Sequence, residues 1–174
     1  MRDLYHQDVV EMIERETRKY EIWTIDTPED ADFPRAFKLL WDAFGPSDEM
    51  EPEAAIRSFL LDNPFEPGPG GTFMKYFMIA AWGSDGELRG VRDGTILVNP
   101  AYSPDLCAVY LAHIFMLPDA RGTVLSYWLR IAAVEIAVQY LLDLHQRGLV
   151  KLPQPDRPGA WFGMRLNMTA EMEF

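Results

Sequence analysis

Residues 109–126 read VYLAHIFMLPDARGTVLS and decide the fold. The apolar run over 107–117 predicts a strand buried on both faces. The region over 123–145 predicts a helix, because its apolar residues recur at intervals of three and four. Between them, Pro118 ends strand pairing, and Gly122 allows an anion to approach the backbone closely. The sequence therefore predicts a strand–loop–helix anion site, in which a pyrophosphate contacts the amides of residues 121–126.

The remaining segments predict a single domain over residues 1–174. Its periodicities and turn residues predict further helices over 9–20, 33–44 and 47–61, and strands over 20–25, 73–82, 88–99 and 161–174. Residues 1–19 form a leading helical segment in this interpretation, and the Pro- and Gly-rich stretch 62–72 is a surface loop. Gly90 and Gly94 indicate a bulge or a second turn within the strand over 88–99.

Composition narrows the classes of partner. The chain carries 27 acidic and 16 basic residues, a net charge of −11. Such a surface repels phosphate backbones, so we expect no nucleic-acid partner, and it suits a cationic substrate. The N-terminus lacks the apolar region of a signal peptide, and no membrane partner is expected, so the cytoplasm is the default location. Three scattered histidines and one cysteine predict no metal site.

The order helix, helix, three strands, loop, helix, strand resembles the GNAT superfamily of N-acetyltransferases. Its signature Arg/Gln-x-x-Gly-x-Gly/Ala aligns with residues 121–126, where Arg121 fits, Ser126 is small, and Val124 replaces a glycine. The resemblance implies an α+β fold with a mixed, mostly antiparallel central sheet flanked by helices. In that family further strands follow the fifth, and here the sequence ends where the fifth is expected.

The resemblance also implies acetyl-CoA as co-substrate. Its pantetheine arm would lie beside the backbone of Phe115, Met116 and Leu117. The phosphates would contact Arg121, Gly122, Thr123, Val124, Leu125 and Ser126. A general base would deprotonate the acceptor amine. His113 occupies the strand position where the family often has a glutamate, with Glu171 as a second candidate, and the alternative for His113 is a buried histidine satisfied by hydrogen bonds.

Three classes of function remain open from the sequence, and the third is a structural or interaction domain whose Met-rich last strand adds to another sheet. The first is an enzyme that transfers an acyl group from CoA to a primary amine of a small molecule or peptide. The second is a non-catalytic domain that binds CoA or a partner chain, a reading that Val124 and the early chain end favour. An apolar final strand could also pair between two copies of the chain and form a homodimer.

Overall fold

The computed structural model describes Asp8, Glu11 and residues 19–156 and 162–170. Asp8 and Glu11 are helical, and the rest of the leading helix predicted over residues 1–19 lies outside the described residues, apart from a turn at Lys19. The segment 62–72 is irregular and mostly exposed, with one 3-10 turn at Pro69–Gly71.

The centre of the fold is a mixed sheet. Its strands are β1 (Tyr20–Ile25), β2 (Phe73–Gly83), β3 (Leu88–Val98), β4 (Leu106–Met116) and β5 (Arg165–Ala170). They lie side by side in chain order. Neighbours are antiparallel except β4 and β5, which are parallel. The predicted fold class, an α+β fold with a mostly antiparallel sheet, is confirmed.

Among residues 19–156, the α-helices that flank this sheet are α1 (Phe33–Phe44), α2 (Glu53–Leu61) and α3 (Leu125–Gln146). The prediction of one helix over 47–61 is wrong in its first part. Asp48 adopts a left-handed backbone conformation, with φ 64°, and Pro52 disfavours helical geometry in the residue before it. Residues 45–52 therefore form a 3-10 turn and a loop, and this loop reaches the candidate site.

Apolar side chains cover both faces of the sheet. One cluster joins α1 and α2 to β1, β2 and β3 around the fully buried Phe33, Leu40 and Met78. The other joins α3 to β2, β3 and β4 around Leu125, Leu129 and Val109. The sheet is thus the middle layer of three, which explains why the strand over 107–117 lacks the polar alternation of a one-sided strand.

Helix α3 is apolar on most sides. By length and composition alone it could cross a membrane. In the fold, however, nine of its side chains are buried, including Leu129, Ala137 and Leu144. Packing against the sheet accounts for this composition, as in other core helices.

Candidate active site

A bulge in β4 organises the polar centre of the molecule. The pairing of β3 with β4 shifts between Arg92 and Gly94, so that Ala112 and His113 together lie opposite the single residue Asp93. A bulge leaves an extra backbone group unpaired. Here the N–H of His113 donates to Asp93 Oδ1 at 2.9 Å. The carboxylate therefore holds this bulge in place. The bulge alternative predicted for the strand over 88–99 is found beside Gly90, where Arg89 is the extra residue in the pairing with β2.

Asp93 also joins two side chains. Its Oδ1 accepts from the His113 imidazole Nδ1 at 2.9 Å, and its Oδ2 accepts from the Tyr76 hydroxyl at 2.7 Å. The Asp93 side chain is only 1% exposed, so its charge depends on these donors instead of water. Burial and the negative charge of Asp93 raise the pKa of Tyr76 well above its usual value, so Tyr76 remains a proton donor.

Both ring nitrogens of His113 lie next to oxygen atoms. The second nitrogen, Nε2, is 2.9 Å from the backbone carbonyl of Glu49, in the loop between α1 and α2. A neutral imidazole has one N–H, so both contacts are satisfied at once only by the charged imidazolium. Burial opposes that charge, but the hydrogen bond and charge of Asp93 and the Glu49 carbonyl outweigh it and raise the pKa of His113.

A cleft opens beside this trio on the α1–α2 face of the sheet. It has a volume of about 430 Å³ and is bounded by the loop over 48–52, by α2, and by β2, β3 and β4. Four of its lining residues are acidic and three are aromatic: Asp48, Glu49, Glu51, Asp93, Phe59, Tyr76 and Tyr110. Carboxylates with aromatic walls are a suitable environment for an organic cation.

The predicted phosphate loop follows the C-terminal end of β4, a few residues beyond the bulge. Pro118–Ala120 form a 3-10 turn, Gly122 has a φ of 71°, and α3 begins at Leu125. The Thr123 hydroxyl donates to the Ala120 carbonyl at 2.7 Å and accepts from the Leu125 N–H at 3.2 Å. In the part of the chain that the structure describes, the N–H groups of residues 122–124 donate to no protein atom. These amides can therefore bind an anion at the positive end of α3.

Val124 and Ser126 fit this loop differently from the family's glycines. Val124 has φ −68° and ψ −6°, a conformation open to any residue, so the backbone itself requires no glycine there. The valine side chain instead takes up space near the free amides. Ser126, the second helical residue, is half-buried.

Of the residues predicted to contact pantetheine, Phe115 and Met116 end β4, and Leu117 follows it. The N–H of Leu117 donates to the Arg89 carbonyl at 2.9 Å, toward β3. Backbone N–H and C=O groups alternate in direction along a strand, so those of Phe115 also face β3. The backbone groups of Ile114 and Met116 face the opposite edge of β4. At that edge the Met116 carbonyl accepts from the Arg121 Nε at 3.0 Å. Of the three predicted residues, Met116 presents its backbone to this edge.

The same edge of β4 is paired only in part. Within residues 162–170, β5 pairs with Leu106–Leu111 and with no later residue of β4. The backbone of Ile114 and Met116 thus has no strand partner on this side among the described residues, and the free edge leads from the phosphate loop to the bulge. Glu171, the second candidate base, lies outside the described residues. No group of metal-ligating side chains occurs among those described.

Reasoning from the sequence missed Asp93, Tyr76 and the acidic loop. The sequence pattern at Asp93-Gly94 indicates only a bulge or a turn. An aspartate in the middle of a predicted strand is itself a signal, because a buried carboxylate requires partners. The contribution of the loop over 48–52 could not be found, because that segment was assigned to a helix.

Comparisons with known proteins agree with this architecture. Neither the protein-family models nor the curated proteins give a match. Among solved structures, an aminoglycoside acetyltransferase from an uncultured soil metagenomic sample, in complex with sisomicin, is similar with a TM-score of 0.55 at 11% identity, over 92% of this chain and 80% of that one. The aminoglycoside N-acetyltransferase AAC(6')-Iy, in complex with a CoA bisubstrate analogue, has a TM-score of 0.50 at 17% identity, over 88% and 80% of the two chains. The chain therefore has the fold of the GNAT acetyltransferases.

Proposed function

We propose that the protein transfers an acyl group, acetyl in the simplest case, from CoA to a primary amine of a cationic small molecule or peptide. One observation carries the proposal: a single strand, β4, connects the free amides of residues 122–124 at its end with the acidic cleft at its bulge. A thioester bound along the free edge would have its phosphates at the loop and its acyl carbon near the cleft. The acetyltransferases that share the fold support the same assignment.

The reaction would proceed by direct attack. The amine nitrogen attacks the thioester carbon, the C–N bond forms, and the C–S bond breaks. The amine loses a proton, and the CoA thiolate gains one. A backbone N–H on the free edge of β4, from Ile114 or Met116, is suited to stabilise the negative charge that develops on the acyl oxygen.

His113 is the proposed base, and the structure limits how it can act. Its Nε2 faces the Glu49 carbonyl, so the amine must replace that carbonyl as the partner of the imidazole. Asp93 stays hydrogen-bonded to Nδ1 and orients the ring. Because the pKa of His113 is raised, the neutral form that accepts a proton grows with pH, and kcat should increase as the pH passes through that pKa.

The acceptor is proposed to be cationic because of the cleft. The side chains of Asp48, Glu49 and Glu51 are all exposed around its opening. Charges in this position attract a substrate with several ammonium groups more strongly than one with a single group. A polyamine or an aminoglycoside meets this description.

Binding of CoA is tested first. Acetyl-CoA at 100 times its dissociation constant should stabilise the fold by about 2.7 kcal/mol, measured as a rise in Tm. The absence of any rise at millimolar acetyl-CoA would contradict both the transferase and a CoA-binding domain.

Transfer is then tested with a panel of amines. Release of CoA thiol is measured with spermidine, an aminoglycoside and a monoamine, for wild type and His113→Gln. Loss of a base is expected to lower kcat about 10²–10⁴-fold and to abolish its rise with pH. Full turnover by His113→Gln across pH 6–9 would exclude His113 as the base.

The second candidate function is a CoA-binding domain without catalysis. Two observations favour it: the Glu49 carbonyl occupies the position next to His113 Nε2, and Val124 occupies the position of a motif glycine. A rise in Tm with acetyl-CoA and no thiol release with any amine would select this function.

A further inference from the structure

Arg92 is a buried cation on the opposite face of the sheet from the cleft. It lies on β3 between Ile79 of β2 and Ile114 of β4, and it is 5% exposed. Side chains alternate along a strand, so Arg92 points away from the cleft that its neighbour Asp93 lines, toward the face covered by α3. The mechanism proposed above does not use it.

This arginine has no partner in the part of the chain that the structure describes. Its Nε is fully buried and makes no hydrogen bond. Every other described arginine except Arg130 has an acceptor or an aromatic ring within reach: Arg35, Arg57, Arg89, Arg121, Arg147 and Arg165. A buried guanidinium nitrogen without an acceptor loses its hydration and gains nothing in return.

The carboxylate of the adjacent residue does not neutralise Arg92. Asp93 is adjacent in sequence, but its oxygens accept from His113 and Tyr76 on the other face. With His113 charged, the Asp93–His113 pair has no net charge, and the charge of Arg92 remains uncompensated. Burial and, next, the positive charge of Arg130 lower the pKa of Arg92 to about 10, while Asp93 acts in the opposite direction.

Arg130 brings a second positive charge to the same region. Ala133 and Ala137 follow it by three and seven residues on α3, and both are fully buried. At this spacing Arg130 projects from the same side of the helix as these two alanines, although Arg130 itself is exposed. The first turn of α3 contains no acidic residue, so the positive end of the helix dipole is not neutralised either. Two like charges are thus held together in a chain whose net charge is −11.

We propose that Arg92 and Arg130 form a binding site for an oxyanion, a carboxylate or phosphate group, between β3 and the beginning of α3. The anion would accept from both guanidinium groups and remove their mutual repulsion. Guanidinium groups match the paired oxygens of these anions. The ligand is either a free oxyanion or an anionic group of a thioester bound along β4.

Inorganic phosphate is the probe. The Tm of the full chain is measured against phosphate concentration and against KCl at equal ionic strength, and a saturable rise is expected with phosphate only. Arg130→Gln should weaken phosphate binding about tenfold or more, because it removes a charged donor. The matched control is Lys151→Gln, which removes the same charge from an exposed position and should bind as wild type.

Arg92→Met provides a second, independent variant. Methionine fills much of the space without a charge, so this variant should be at least as stable as wild type without phosphate and should lose the phosphate response. Equal responses to phosphate and KCl, or a phosphate response that survives in both arginine variants, would overturn the proposal. Survival in both would assign the anion to the amides of residues 122–124 instead.

The source of the anion is distinguished by repeating the titration with CoA. Competition between CoA and phosphate, with weaker CoA binding in Arg130→Gln but not in Lys151→Gln, identifies a group of the bound thioester. Independent binding identifies a separate oxyanion. If CoA does not bind at all, the proposed acyl transfer fails, whereas the phosphate titration still decides the oxyanion site.

Discussion

At the scale of single residues, Asp93 connects three groups of the polar centre through its carboxylate. One carboxylate stabilises a backbone bulge, orients an imidazole and accepts from a tyrosine hydroxyl. Removing a charged partner from such a buried network lowers the free energy of unfolding far more than removing an exposed ion pair does. The charge state of His113 therefore affects the stability of the fold as well as the proton transfer proposed for it.

We predict that the contribution of His113 to stability decreases as pH rises. Because its folded-state pKa is raised, this contribution is fully present below the unfolded value of about 6.5 and is lost as pH rises through the folded-state value. Unfolding by urea at pH 5.5 and 8.5 should show a larger difference between wild type and His113→Gln at the lower pH.

The control for this prediction is Tyr76→Phe. It removes the other side-chain hydrogen bond to Asp93, at a cost of about 1–3 kcal/mol, but the pKa of Tyr76 lies far above this pH range. Its cost should be equal at both pH values. A His113→Gln difference that is also constant would mean that His113 does not titrate in this range.

At the scale of elements, the strand–loop–helix stretch could be predicted and the polar cleft could not. Strong local signals specify β4 and α3: an apolar run, Pro118, and a long helical periodicity. The cleft depends on residues far apart in sequence, such as Glu49 and His113, which meet only through the fold. The bulge in β3 was indicated by Gly90, because a glycine within a strand marks a bulge or a close approach of backbone.

Gly94→Ala should destabilise the pairing of β3 with β4. A Cβ at this position would overlap the Tyr110 carbonyl oxygen and lie 2.7 Å from Phe77 Cζ. Overpacking of this kind costs about 3 kcal/mol, measured by urea unfolding. Gly68→Ala is the control, since its nearest neighbour would be 3.6 Å away, and a change within about 0.5 kcal/mol is expected. Similar losses in both variants would contradict a specific steric conflict at Gly94.

Val124→Gly should tighten the binding of acetyl-CoA. The backbone of Val124 already has ordinary helical angles, so the substitution mainly removes side-chain bulk near the free amides. We expect a gain of roughly 1 kcal/mol, about fivefold in Kd, with Val124→Ala between the two, measured by calorimetry. Weaker binding by the glycine variant would show that the valine contacts the ligand favourably.

At the scale of the whole molecule, charge is distributed unevenly over the two faces of the sheet. Acidic side chains surround the cleft on the α1–α2 face, whereas Arg92 and Arg130, which have no partner among the described residues, lie on the α3 face. The net charge of −11 is a sum over the whole chain and gives no sign of this uneven distribution. A cationic and an anionic ligand could thus approach from opposite sides of β4.

Salt should therefore weaken the binding of the cationic acceptor proposed above. If transfer occurs, KM for a polyamine is expected to rise severalfold between about 0.05 and 0.5 M KCl, because the screening length falls from about 14 to 4 Å. Asp48→Asn combined with Glu51→Gln should raise KM at low salt and reduce this dependence. Glu29→Gln with Asp156→Asn removes two exposed charges outside the cleft and should have little effect. Equal effects of the two double variants would mean that only the overall charge matters.

The parallel pairing of β4 with β5 also has a consequence for how the chain folds. The strands β2, β3 and β4 follow one another through short connections, whereas Leu106 pairs with Arg165 only after the whole of α3 has intervened. Contacts between distant parts of a chain form late, because a long loop must first close. During synthesis on the ribosome, β4 is therefore complete well before β5 is. In that interval the edge of β4 that later pairs with β5 is open to other chains.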